Sequence, residues 1–135
     1  MKSLTQLQKD IISGKKTEPP FDNLYWNHFE DGIYIDVVDQ TPLFLSTDKF
    51  KSSSGWPSFS KTIDENVYFK QDFSFDMLRL EVLATNSKSH LGHLFEDGPK
   101  ELGGLRYCVN SAALEFIPVS ELKNRGFEKY LKYFK

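Results

Sequence analysis

Cysteine is nearly missing from this chain, and the scarcity is informative. One Cys among 135 residues excludes an internal disulfide and any zinc cage built on several thiolates. Long apolar runs are missing too. No window approaches the roughly 18 apolar residues that a membrane-spanning helix needs. Met1 to Lys16 alternates polar and apolar residues, without the continuous apolar stretch of a signal peptide. A soluble, cytoplasmic protein that binds no membrane is therefore expected. Charge of one sign is lacking as well: 17 Lys and Arg against 19 Asp and Glu leave a net charge of -2. That gives no basic footprint, so nucleic acid is not an expected partner. No repeat, low-complexity tract or linker interrupts residues 1–135, which read as a single domain large enough to bury most of its apolar surface.

What the chain does have is aromatic and β-branched. Aromatic residues make up 15% of it, 12 of them Phe, and such residues favour strands over helices. Near the N-terminus, Ser3 and Gln6 match a capping box, with Leu4, Leu7, Ile11 and Ile12 as an apolar stripe and Gly14 ending the turn. The prolines of Thr17-Glu18-Pro19-Pro20-Phe21 hold the next segment extended. It reads as an arm laid across the domain and anchored by Phe21, Tyr25 and Trp26. Strands follow over Ile33–Val38, Leu43–Leu45, Val67–Phe69, Met77–Ala84, His90–Phe95, Leu105–Asn110 and Ala113–Ile117. In Met77–Ala84 the apolar face is Leu78, Leu80, Val82 and Ala84, opposite Arg79 and Glu81. Lys51–Pro57 is a loop, and Phe127, Tyr130, Leu131 and Phe134 recur at helical spacing near the C-terminus. Short strands without alternating long helices predict an antiparallel sandwich or barrel.

A lone Cys is most often a small buried hydrophobe, but the surroundings of Cys108 change that. On a strand through Arg106-Tyr107-Cys108-Val109-Asn110, Arg106, Cys108 and Asn110 share one face. A cation beside a thiol favours the thiolate, the reactive form. A polar edge strand with a chance Cys would look similar. His90-Leu91-Gly92-His93 offers two groups that titrate near neutrality and suit proton delivery. A metal site would need further ligands, and no known metal-site pattern surrounds the pair. Gly92 between them suggests a close backbone approach or a bend. In Gly55-Trp56-Pro57-Ser58-Phe59 the indole is either a core anchor or one wall of an apolar pocket.

Taken together, GWPSF, HLGHLFEDGP and GLRYCVNSAALEF, with TEPPF and NLYWNH before them, resemble the B-type methionine sulfoxide reductase (SelR) family from about Gln8 to the C-terminus. The resemblance implies a mainly β fold, with two antiparallel sheets in a barrel-like arrangement and short N-terminal and C-terminal helices. It implies a peptide-methionine (R)-S-oxide reductase that returns methionine-R-sulfoxide, protein-bound or free, to methionine. Cys108 stands at the nucleophile that takes the oxygen as sulfenic acid. Arg106 stands at the residue that stabilises the thiolate, and Asp97 at the carboxylate orienting that Arg. His90, His93 and Asn110 match the groups that bind and protonate the sulfoxide oxygen. Trp56 matches the wall for the substrate methyl group, and Phe21 a residue that helps close the pocket. A sulfoxide calls for a soft nucleophile, a donor for the departing oxygen and an apolar socket, which thiolate, His and Trp supply.

Two departures from the family stand out. Where many members hold a structural zinc with two Cys-x-x-Cys pairs, this chain has Asp36, Asp39, Ala84 and Ser87. Where many have a resolving Cys, it has Ser54. No metal and no cofactor are expected, and the enzyme is expected to act as a monomer. Its partners would be oxidised proteins or peptides and an external thiol reductant, thioredoxin or another. Two rivals are weaker. A Cys-His-Asn hydrolase on Cys108, His93 and Asn110 gives Trp56 and Arg106 no role. A non-catalytic module that binds oxidised methionine would not need the thiol.

Overall fold

A computed structural model describes residues 4–63, 65–72 and 79–134. Helix α1 (Gln6–Ile12) starts two residues later than the Ser3 capping box suggests, because Thr5 and Gln8 form the reciprocal cap instead. Ser3 itself lies outside the described residues. Only Ile11 of the expected stripe is fully buried, while Leu7 is 47% exposed. Gly14 follows the helix at φ +83°.

Among the described residues, eight strands form two antiparallel sheets that do not close into a barrel. The smaller sheet runs β2-β1-β8, from Pro42–Leu45, Gly32–Asp36 and Leu114–Pro118. The larger runs β3-β7-β6-β5-β4. Its strands are Ser58–Phe59, Arg106–Val109, His90–Phe95, Arg79–Ala84 and Val67–Asp72 in that order. Met77 and Leu78, expected to open β5, lie outside the described residues.

The main core lies between the sheets. Tyr34, Leu43 and Phe44 of the small sheet meet Phe59, Val82, Tyr107 and Val109 of the large one. Phe44 and Phe59 stack at 4.3 Å. Each such ring contributes ~1.5–3 kcal/mol on full burial. A second cluster covers the other face of the small sheet, where Ile33, Ile35 and Ile117 meet Leu122, Phe127 and Tyr130. The C-terminal segment doing this is α2 (Val119–Leu122) and a 3₁₀ helix over Glu128–Phe134, not one α-helix. Covered on both sides, β1 is buried throughout. The outer face of the large sheet is therefore the one left to carry chemistry.

Candidate active site

Strand register assembles that face. Cys108 of β7 pairs with His93 of β6, which pairs with Glu81 of β5. Directly opposed residues have Cβ atoms about 4.5–5.5 Å apart, so the Cys108 thiol and the His93 imidazole are adjacent by construction. Two His three residues apart on a regular strand would point to opposite faces. A register irregularity between Val82 and Leu83 corrects this, since Val82 pairs with Gly92 and Leu83 with His90. The extra residue in β6 brings the rings to the same side, with centroids 5.6 Å apart. Gly92 permits the approach of β7: a Cβ there would stand 1.9 Å from the Cys108 carbonyl oxygen.

These residues surround a cavity of about 220 Å³. Cys108, His93, His90, Arg106, Asn110 and Trp56 all line it, with Ser54, Phe95 and Arg79. Two of the expected site residues do not. Asp97 stands behind Arg106 and accepts its Nε and NH2 protons at 2.8 and 3.1 Å. Phe21 is 53% exposed and packs edge-on against Trp26. The arm reaches the cavity through Thr17 instead.

The arm is held by polar hooks that composition does not announce. The Trp56 indole N–H donates to the Glu18 carbonyl at 2.8 Å, which fixes the ring as a wall. The Glu18 N–H donates to Asn110 Oδ1, and Asn110 Nδ2 donates to the Leu91 carbonyl. Asn110 thus ties the arm to β6 while one amide proton stays unused by these bonds. The Glu18 carboxyl is buried, and desolvation raises its pKa against hydrogen bonds from the Ala112 and Ser111 backbone. Phe21 N–H donates to the Gly55 carbonyl, where a Cβ would meet Pro20 and Phe21.

Burial also raises the Cys108 thiol above its ordinary value of 9.0. The Arg106 charge and hydrogen bonds from Ser54 and Arg106 pull it down, and Asp97 pushes it up. Arg106 acts in the expected direction, but desolvation wins. The Arg106 guanidinium lies over the Phe95 ring at 4.4 Å. Burial lowers the His93 pKa, opposed by its hydrogen bond to Asp72. His93 Nε2 is 2.7 Å from Asp72 Oδ2, and His90 Nδ1 is 2.7 Å from Glu81 Oε2.

Three contributors escaped the sequence. Ser54 stands out in the sequence only for the thiol it lacks, yet it lines the cavity with Cys108 and pulls the thiol pKa down. Glu81 falls on the polar face of its strand by alternation, which names no partner for it. Asp72 sits in no motif. Their only signal is register, which a single sequence does not display.

The positions aligned with the family's zinc ligands hold a different arrangement. Asp36 accepts hydrogen bonds from the Val38 N–H and the Ser87 hydroxyl, and Asp39 accepts from the Thr41 N–H. Ala84 has no donor atom and is buried in the core. This set does not fit a tetrahedral zinc.

The SelR domain family matches residues 4–118. The chain belongs to the SelR family. Its activity is that of a peptide-methionine (R)-S-oxide reductase, an oxidoreductase acting on methionine sulfoxide. Among solved structures, the Mis18 'Yippee-like' domain is similar in fold, with 14% identity and a TM-score of 0.52 over 65% of this chain and 96% of that one. That likeness concerns the fold alone. Among the described residues, no helix is long and apolar enough to cross a membrane.

Proposed function

We propose that this SelR enzyme reduces methionine-R-sulfoxide by direct oxygen transfer to Cys108. The observation that carries this is the cross-strand pairing of Cys108 with His93 inside a cavity walled by Trp56. The thiolate attacks the sulfoxide sulfur, the imidazoles serve the departing oxygen, and the indole receives the methyl group. Arg106 and Ser54 stabilise the sulfur's negative charge, and Asp97 orients Arg106. Asn110 positions the arm and offers its remaining N–H. Phe21 acts at one remove, pressing on the loop that carries Trp56. Positioned proton transfer is typically worth ~10²–10⁴-fold in rate.

With Cys108 the sole thiol, the sulfenic acid is recycled by an external reductant, thioredoxin or a small thiol such as glutathione. A polar groove of about 410 Å³, lined by Lys51 to Ser54, shares Ser54 and Arg106 with the substrate cavity and suits such access. No metal takes part, and the enzyme works as a monomeric single domain in the cytoplasm. The Cys-His-Asn hydrolase loses ground, since Asn110 Oδ1 and Nδ2 bond the backbone rather than an imidazole. The test is a comparison of separated R and S sulfoxides with wild-type and Cys108→Ser protein. Turnover of the R form alone, abolished by the substitution, is expected. Retained turnover in Cys108→Ser with thiol reductant present contradicts the proposal.

A further inference from the structure

The two imidazoles stand between two cavities. His90 and His93 line the substrate cavity and also a second, polar cavity of about 510 Å³. Asp72 and Glu81 line only the second, together with Lys15 and Lys16. Each imidazole therefore turns one nitrogen to a carboxylate on the far side. Because Asp72 takes Nε2 of His93 and Glu81 takes Nδ1 of His90, the atoms left for the sulfoxide are Nδ1 of His93 and Nε2 of His90. Fixing a His tautomer through its other nitrogen is how a carboxylate prepares an imidazole for proton transfer.

We propose that Asp72 and Glu81 are positioning residues of the reductase reaction, which turn His93 and His90 into a proton path between the second cavity and the sulfoxide oxygen. This rests on the oxygen-transfer reaction at Cys108. There the sulfoxide S–O bond breaks and an S–O bond to Cys108 forms, so the Cys108 sulfur is oxidised by two electrons and the substrate sulfur reduced by two. The thiol proton leaves as the thiolate forms, and one proton from an imidazolium arrives on the oxygen, so the protons balance.

The reactive form thus carries thiolate and imidazolium together, one proton distributed over two groups. Its population rises with pH as the doubly protonated state disappears, and falls as Cys108 loses its proton in the absence of imidazolium. The charges facing His93 are Asp72 from β4, Arg79 and Glu81 from β5, His90 from β6, and Arg106 with Cys108 from β7. Lys15 and Lys16 face it from the segment after α1. Of these, Asp72 contributes the contact that holds the proton on the ring.

The experiment measures pH profiles of kcat and kcat/KM on a methionine-R-sulfoxide peptide for Asp72→Asn, Glu81→Gln and Asp72→Glu. Melting curves and near-ultraviolet circular dichroism check each fold. Expected are a fall in kcat of about tenfold or more in either neutral variant and an unchanged KM. In Asp72→Asn the low-pH limb moves to still lower pH, and Asp72→Glu recovers part of the rate. Turnover within twofold of the parent, a loss confined to KM, or an unmoved low-pH limb overturns the proposal. If Asp72→Asn fails to fold, Glu81→Gln and Asp72→Glu decide the matter by kcat against KM. Dimedone trapping separates the two levels: sulfenate on Cys108 with carboxylate-insensitive rates sinks the relay alone, whereas parent protein that forms no sulfenate sinks the oxygen-transfer reaction itself.

Discussion

At the scale of the residue, desolvation and charge compete at one sulfur. Burial holds the Cys108 thiol above 9.0, while Arg106 and Ser54 act to lower it. Removing either should raise it further. We predict that Arg106→Ala and Ser54→Ala both shift the thiolate absorbance titration to higher pH and move the high-pH limb of kcat/KM the same way. An unmoved titration in Arg106→Ala would remove that residue's role. Trp56 should report the redox state of the neighbouring sulfur: its emission changes on sulfenic acid formation, and the change survives Trp26→Phe. A signal carried by Trp26 would take Trp56 out of the pocket. Glu18 offers a test of sign. Its folded pKa lies above the ordinary 4.5, so the folded state binds the proton more tightly. Stability is therefore greatest with the proton on, and falls as pH rises through the interval between the unfolded and folded values. Among the described residues Glu18 Oε1 has no hydrogen-bond partner. Glu18→Gln keeps the shape without the charge, so it should raise Tm at pH 7 and flatten the pH dependence of melting in the acid range. A lower Tm at pH 7 would mean that the carboxylate charge itself holds the arm.

Elements place these residues, and they do so with varying visibility in the sequence. Local composition located β1, β2 and β6 to within two residues, since a β-branched run, an apolar piece after Pro42 and the bounded His90–Phe95 segment are local signals, as is the alternation of Met77–Ala84. Val82 and Ala84 face the core as that alternation requires, while Leu80 is 39% exposed. The irregularity opposite Val82 and Leu83 was not legible, since a bulge is a property of two strands and the sequence displays one. It is nevertheless what turns His90 and His93 to the same side. Gly92 gave a hint, and the 1.9 Å approach to the Cys108 carbonyl is its cause. Gly92→Ala should push β7 away from β6, cost about 1–3 kcal/mol as other overpacking does, and reduce turnover more than it slows alkylation of the Cys108 thiol. Urea melting beside activity checks this; unaltered values for both would show that the strands adjust freely. Caps were less legible than strands. Ser3/Gln6 and Thr5/Gln8 both satisfy the spacing, and spacing alone does not separate them; Thr5 and Gln8 form the reciprocal bonds.

For the whole molecule, the motifs marked most of the residues that line the Cys108 cavity, whereas the carboxylates behind the imidazoles depended on long-range pairing. Asp72 is 21 residues from His93 and Glu81 is 9 from His90, with nothing local to link either pair. The same holds for Asp36 and Ser87, which hydrogen-bond across 51 residues. There the sequence showed only that four ligand positions lacked thiols. The hydrogen-bonded turn that occupies those positions leads to a global prediction: purified protein carries no stoichiometric zinc, and chelators leave its melting temperature unchanged. About one zinc per chain by elemental analysis, lost together with the fold, would contradict it. A second global property is dependence on an outside thiol. Thioredoxin should support turnover less well than it does after Ser54→Cys, a change that can give a disulfide with Cys108 if the loop meets bonding geometry.

Oxygen transfer to Cys108 is tested most directly by the intact mass of wild-type protein after one equivalent of methionine-R-sulfoxide, without reductant. The account predicts one released methionine per chain and a protein heavier by one oxygen, trapped by dimedone at Cys108, with no intramolecular disulfide. Released methionine from a protein of unchanged mass, with neither added oxygen nor a mixed disulfide, would contradict it.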